Sequence, residues 1–319
     1  GTGFIGSHLV DTLIKDDRYP EVRCLVRSSE KWLKGKNYVA VRGDLHDLPT
    51  IREATEGVDV IFHLAGLVKA RTWQTFRRAN VESTENLVRI AQKQGIGKLV
   101  VLSSLAAAGP TPEGGSPVTE TDPLKPISMY GRSKKEMEQM IHRIAENRMS
   151  ITILRPPAVY GPRDDQIFTF FKLLDNRICP IVGNGETPKL SMVYVMDVIQ
   201  GILKAAEQQE AGVSTYYISG KSIVTWNEIR ETSTKVLGKK ALPIYIKPRY
   251  VKKIASAVEK AASFFGSYPV LNREKANELI LEWTCSIEKA RRELGYEPRY
   301  SLAEGISRTI HWYKMHHWL

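Results

Sequence analysis

Three side chains could pass a proton between them: Tyr130 and Lys134 in MYGRSKK, and Ser104 at the end of KLVVLSS. Tyr and Lys four apart on a helix project from one face. An ammonium beside a phenol favours the phenolate, so Lys134 is expected to lower the Tyr130 pKa toward a range useful for proton transfer. YxxxK alone is a weak signal, since the pair also arises by chance as a solvated couple. Its weight comes from Ser103-Ser104 at a strand end, where a hydroxyl could meet Tyr130 over a bound carbonyl. A second chemistry sits in the opening GTGFIGSHLV, where Gly3 and Gly6 introduce apolar residues Phe4, Ile5, Leu9, Val10 and Leu13 at helical spacing. A helix start offers unpaired N–H groups and partial positive charge, and glycine lets that backbone approach a phosphate, as dinucleotide binding requires. The alternative is a glycine turn chosen only for helix–strand packing.

The elements that must position these groups follow from periodicity. EVRCLVR (21–27), YVAVRGD (38–44), VDVIFHLAG (58–66), KLVVLSS (98–104) and SITILRP (150–156) have the β-branched runs of buried parallel strands. Amphipathic helical patterns fall near 5–16, 48–56, 72–95 and 130–148. This alternation predicts an α/β fold, a Rossmann-type doubly wound parallel sheet whose ligands bind at the carboxyl ends of the strands. Beyond RPPAVYGPRDD the pattern loosens into helices with short strands near 190–195 and 215–218, the expected place of a smaller C-terminal substrate lobe. The division expected is 1–160 for the dinucleotide-binding domain and 161–319 mostly for the lobe, with some segments returning to the sheet. No strand leads into Gly1, so a first strand is expected to be missing, with the chain starting inside its own cofactor turn.

The 319 residues are 42% hydrophobic and 25% charged, the balance of an ordinary globular protein, and no apolar run is long enough to span a bilayer. Cys24, Cys179 and Cys285 are far apart with no CxxC, which fits a reducing, cytoplasmic compartment and argues against a thiolate metal site; no metal is expected. The net charge is +11, and between Lys235 and Lys260 there are eight Lys or Arg against one acid. A basic patch attracts nucleic acid, acidic lipid or an anionic ligand. Nucleic acid is not expected, because the segment carries no recognised reading motif. Within KPRYVKKIASAVEKAASFFG, Val251, Ile254, Ala255, Val258, Ala261, Ala262 and Phe265 form one helical stripe opposite Lys253, Ser256, Lys260 and Ser263, with Gly266 placed as a stop. Residues 250–265 could therefore make a peripheral membrane contact; a lobe helix with a wet basic face is the plainer reading.

Taken together, GTGFIGSHLV, RGDL, HLAG, NVESTENL, VVLSS, YGRSK, LRPPAVYGP and VYVMDV resemble the extended short-chain dehydrogenase/reductase family, the group of NAD-dependent epimerases, dehydratases and 3β-hydroxysteroid dehydrogenases. The resemblance runs along essentially the whole chain; of the family's Gly-x-x-Gly-x-x-Gly it has the second and third glycines. It implies that Tyr130 is the general acid/base, that Lys134 tunes it and holds the nicotinamide ribose, and that Ser104 polarises the substrate oxygen. It places Gly3, Phe4, Ile5 and Gly6 at the pyrophosphate, Asp44 and Leu45 at the adenine, and Ala65, Gly66 and Pro157 along the cofactor. Asn80 matches the family's helix asparagine, as a structural hydrogen bond or a proton relay. Ser103 is assigned to strand-end structure. At the end of strand 21–27 an acid would bind the ribose of NAD, whereas Arg27 suits the extra phosphate of NADP, so NADP is the expected cofactor with NAD possible.

Resemblance also separates reaction classes. Dehydratases of the family place Asp-Glu after the catalytic hydroxyl, where this chain has Leu105-Ala106. Nucleotide-sugar epimerases hold diphosphate with an Arg where this chain has Leu190, with Lys189 beside it; Arg163 could still contact a phosphate. LAAAGP after Ser104 suits a hydrophobic partner. The expectation is an oxidoreductase interconverting a secondary alcohol and a ketone on a small steroid-, flavonoid- or acyl-like substrate, acting as a homodimer paired through 72–95 and 130–148. The alternatives are a nucleotide-sugar epimerase with the same apparatus and a non-catalytic cofactor-binding subunit.

Overall fold

Leu99 and Val101 on one side of a strand, and Val100 and Leu102 on the other, are all buried, and they enter two different hydrophobic clusters. That is what a strand covered on both faces requires. In the computed structural model, which describes the backbone of residues 1–264 and 273–319 and the side chains of 1–258 and 274–319, this strand is β4 (Lys98–Leu102). It lies in a parallel sheet ordered β3 (Val60–His63), β4, β5 (Ser150–Arg155), β9 (Gly212–Tyr217). β1 (Arg23–Val26) and β2 (Val39–Arg42) form a separate parallel pair. Val22, Cys24 and Leu25 on one side, and Ile61 and Phe62 on the other, line the cavity that runs past both sheets.

Helices cover both faces. α1 (Phe4–Leu13) and α7 (Val195–Ala206) pack Leu9, Leu13, Val198 and Ile202 on the Val100/Leu102 face. The other face carries α2 (Leu48–Thr55), α4 (Ser83–Lys93) and α5 (Met129–Ile144) through Ile51, Leu87, Val88, Met137 and Ile141. Between α3 (Trp73–Arg77) and α4 the helix widens into a π-helical turn, Arg78–Glu82. β9 and α7 lie beyond residue 161 yet complete the sheet side.

The remaining elements are β6 (Ala158–Tyr160), α6 (Phe168–Asp175), β7 (Ile178–Val182), β8 (Leu190–Tyr194), β10 (Ile223–Val224), α8 (Trp226–Leu237), β11 (Leu242–Ile246), α9 (Pro248–Phe264), α10 (Arg273–Leu279), α11 (Glu288–Leu294) and α12 (Leu302–Met315). They form two small sheets, β10-β8-β6 and β11-β7. An aromatic cluster holds Phe171, Tyr194 and Tyr313 together. α8 and α12 start with capping boxes, Thr225/Glu228 and Ser301/Glu304, which the sequence spells as T-x-x-E and S-x-x-E.

The helical stripe expected at 250–265 divides in two. Val251 and Ala255 are buried against Val182, Ile246 and Ala276, while Ile254 and Val258 are exposed. Phe265 and Gly266 lie outside the described residues, as do the side chains of Lys260, Ala261, Ala262 and Ser263. Among the described residues, no helix is long and apolar enough to cross a membrane.

Candidate active site

The register of β4 on β5, with Leu102 beside Leu154, brings the ends of both strands to one edge. The pairing continues past the strands: Ser103 N–H donates to Leu154 O at 2.7 Å and Leu105 N–H to Pro156 O at 2.9 Å. Ser104 then turns the chain into a short helical turn, Leu105–Ala107, with its Oγ accepting from Ala106 N–H at 3.1 Å. α5 starts beside this turn, capped by Ser128, whose Oγ accepts from Gly131 N–H. A Cβ at Gly131 would sit 2.3 Å from Ala106 O, so only glycine lets α5 approach this closely. The next residue back is Tyr130, whose phenol comes near enough to the Ser104 hydroxyl to be stabilised by it.

The Tyr130 pKa moves in the direction opposite to the one the Tyr–Lys spacing alone implies. Burial pushes the Tyr130 pKa up to about 12; the Ser104 hydrogen bond opposes the rise and the Glu278 charge adds to it. Lys134 Nζ donates to Leu102 O at 2.8 Å. The expected lowering of the phenol is thereby corrected: burial outweighs it, and the ammonium is tied to the strand end. Burial brings Lys134 itself down to about 8, against the Glu138 charge one turn along α5.

Glu138 belongs to a buried network. It accepts from Ser103 Oγ and pairs with Arg155 at 2.6 Å, and Arg155 Nη1 donates to the Tyr217 hydroxyl at 3.2 Å. Ser103 is thus a strand-end structural residue. Asn80, on the π-helical turn, accepts from Leu67 N–H at 2.7 Å and donates to Leu67 O at 2.9 Å and Ser133 Oγ at 2.8 Å. Asn80 thereby clamps the loop after β3 to α5.

A cavity of about 2250 Å³ connects Gly3, Phe4, Ile5, Gly6, Arg27, Asp44, Leu45, Ala65, Gly66 and Pro157 to Ser104, Tyr130 and Lys134, so the structure brings every expected site residue to one space. These residues fit a nicotinamide dinucleotide. A Cβ on Gly3 would meet nothing within 4 Å and would occupy the cavity, while one on Gly6 would meet Gly1 O at 2.8 Å. One on Gly66 would lie 3.2 Å from Lys134 Nζ. α1 starts without a side-chain cap, leaving its first N–H groups for an anion. Arg27 is exposed just beyond β1, and Glu30, the nearest following acid, is paired with Arg42. Asp44 accepts from His46 N–H at 2.7 Å, which fixes the loop after β2.

Leu105, Phe170, Met192, Trp226, Leu279 and Trp283 give the cavity an apolar lining, interspersed with Asp164, Gln166, Ser191 and Glu278. Arg163 is turned away, toward α1, where it donates to Ser7 Oγ at 3.0 Å and pairs with Asp11 at 2.7 Å. Lys189 is exposed on the strand approach. Sequence reasoning missed Glu138, Arg155, Tyr217 and Glu278. Glu138 was within reach, since an acid four residues after Lys134 falls on the same inward face. Glu278 carries no local signal: it arrives on α10, where Glu274 Oε1 also accepts from Met129 N–H at 3.1 Å.

A family model described as the NAD dependent epimerase/dehydratase family matches residues 1–219. Among curated proteins, the chain is 32% identical over 306 residues to protein y4nL of Sinorhizobium fredii (strain NBRC 101917 / NGR234), covering 91% of this chain and 85% of that one. It is 28% identical to a ceramide reductase of Caulobacter vibrioides (strain NA1000 / CB15N), covering 100% and 94%. It is 27% identical to a 3-beta-hydroxysteroid dehydrogenase of Mycolicibacterium neoaurum, covering 98% and 89%. Among solved structures, gox2253 superposes with a TM-score of 0.80 at 28% identity, covering 99% of this chain and 96% of that one. MoeE5 in complex with UDP-glucose and NAD superposes with a TM-score of 0.77 at 25% identity, covering 99% and 97%.

Proposed function

Since the chain belongs to the NAD-dependent epimerase/dehydratase family, we propose that this enzyme interconverts a ketone and a secondary alcohol on a hydrophobic steroid-, flavonoid- or acyl-like substrate, using NADP in preference to NAD. The observation that carries the reading is the set of large apolar side chains sharing the cavity with Tyr130, namely Leu105, Phe170, Met192, Trp226, Leu279 and Trp283. A polar sugar would leave its hydroxyls unpaired against these side chains, at a cost of about 1–3 kcal/mol each. The ion pair of Arg163 with Asp11 further supports it, because that guanidinium is already engaged away from the substrate side. Relatives named for ceramide reduction and for 3-beta-hydroxysteroid oxidation add to the support.

When bound, the cofactor supplies or accepts the hydride at its nicotinamide ring. The chain's own residues manage the oxygen and the proton. With its pKa raised to about 12, Tyr130 holds its proton at neutral pH, which suits donation to a carbonyl oxygen being reduced. Ser104 hydrogen-bonds the same oxygen more strongly as negative charge develops there. Lys134, with a pKa of about 8, is mostly an ammonium at pH 7 and holds the ribose hydroxyls while remaining fixed to Leu102 O. Arg27 receives the extra phosphate of NADP, a contact favoured by the engagement of Glu30 with Arg42. The resemblance further supports two copies pairing through 72–95 and 130–148, which light scattering of the purified protein tests.

The deciding assay follows nicotinamide absorbance with NADPH or NADH on a panel of steroid, flavonoid and β-keto-acyl ketones. Stoichiometric oxidation is expected, faster with NADPH, falling by roughly 10²- to 10⁴-fold in Tyr130→Phe. Interconversion of nucleotide sugars without net redox change would overturn it in favour of an epimerase; the likeness to MoeE5, solved with UDP-glucose and NAD, supports testing nucleotide sugars.

A further inference from the structure

The β7–β11 pair has one face that is apolar from end to end. Parallel register sets Leu242 beside Ile178, Ile244 beside Pro180 and Ile246 beside Val182, and residues two apart share a face. α9 covers only the Ile246/Val182 end, through buried Val251 and Ala255. The rest is open: Leu242 is 70% exposed, Ile244 46% and Ile178 44%. On α9 itself Tyr250, Ile254 and Val258, four apart along one edge, are also exposed. Among the described residues, this is where exposed large apolar side chains concentrate, and such a concentration marks an interaction surface.

What surrounds it indicates the partner. Arg177, Lys240, Lys247, Arg249, Lys252 and Lys253 are all exposed on the same segments. Of the acids on these segments, Asp175 is already paired with Lys239 at 2.6 Å, and the side chain of Glu259 lies outside the described residues. Exposed aliphatic and tyrosine side chains ringed by cations match the boundary of an anionic bilayer, where apolar tips enter the acyl region and ammonium groups meet phosphates. The apolar surface also continues inward, since Pro180, Val182, Ile246, Val251 and Ile254 line the cavity that reaches Tyr130.

We propose that the β11–α9 face docks this enzyme on an anionic lipid surface, with the cavity mouth at Ile254 turned to the acyl chains. The docking stands independently of the chemistry; only its consequence, that a lipid-like ketone enters without crossing water, rests on the reductase reading.

The test is co-sedimentation of the whole chain with phosphatidylcholine vesicles, alone or mixed with phosphatidylglycerol. Binding is expected to the mixed vesicles, weak on the neutral ones, and reduced by salt as exposed charges are screened. Lys252→Gln with Lys253→Gln should lower the partition coefficient by roughly tenfold or more. Leu242→Ser with Tyr250→Ser should lower it as well, with circular dichroism and thermal transition unchanged. Equal binding to both vesicle types, binding to neither, or a charge variant that binds as well as its parent overturns the proposal. So does loss of a dimer in Leu242→Ser with Tyr250→Ser without vesicle binding by the parent, which would assign the face to a second copy. None of these readouts involves turnover, so failure of the reductase reading leaves them intact.

Discussion

The two walls of the cleft are built by different forces. On the sheet side, Ser104, Lys134, Asn80 and Glu138 are held by hydrogen bonds to named backbone atoms or to buried partners. On the lobe side, the β7–β11 ladder carries the backbone, and the side chains of Val182, Ile246, Val251 and Leu279 meet through apolar contact. Hydrogen bonds fix distance and direction, as acid–base chemistry needs, whereas dispersion and burial are non-directional. On the proposed reading, one wall determines what reaction occurs, and the other determines which molecules are retained long enough to undergo it.

Breaking the buried pair is the largest test of that contrast. Glu138→Ala leaves Arg155 charged and unpaired in the interior, and should destabilise the fold by about 3–5 kcal/mol, read from urea unfolding. A loss under about 1 kcal/mol, the range of exposed pairs, would show that the sheet side is no more tightly determined than the lobe.

Acid provides a second, smaller test on the sheet side. His8 is buried and bonded to Pro162 O at 2.9 Å, and burial lowers its pKa to about 4; His63, bonded to Thr84 Oγ1 at 2.8 Å, is lowered to about 3. Below pH 6.5 the unfolded chain protonates these rings while the folded chain does not. The contribution of these two rings is then level above that pH and falls as pH drops toward 4, with His8 alone contributing roughly 2 kcal/mol of loss at pH 5, while Asp164, raised by burial to about 6, offsets part of it. Equal urea midpoints at pH 7 and pH 5 would mean that the rings are solvated.

The smallest effect sharpens the contrast from the lobe. Ile254→Ser at the cavity mouth should leave the unfolding free energy within about 0.5 kcal/mol, as for other exposed positions. It should raise KM for a hydrophobic ketone several-fold and leave kcat unchanged, the signature of lost uniform binding. A fall in kcat instead would give the lobe wall a share in orienting the reacting carbonyl.

Much of this was legible in the chain. The strands expected at 98–104 and 150–156 are β4 and β5, and the helix expected at 130–148 is α5, because burial on both faces and one-sided burial leave distinct periodicities. Ser104, Tyr130 and Lys134 were legible because strand end and helix start are each local. The pKa of Tyr130 was not: its direction depends on how much water the folded cleft excludes, which no spacing of two residues records. Nor was the division of α9, since a helical stripe gives its angular width but not which of its edges meets Val182 and Ile246.

The sequence by itself determined the alternation of strands and helices, the glycine turn and the Ser, Tyr and Lys of the candidate site, since each is carried by a local pattern in the chain. Only the tertiary structure decided that Glu278 lies near Tyr130, that Arg163 turns to Asp11 and that Leu242 and Ile244 stay open beside α9. Those pairings join segments up to about 150 residues apart, and their geometry is set by how the lobe packs on the sheet, a sum of many weak apolar contacts with no signature in any single stretch.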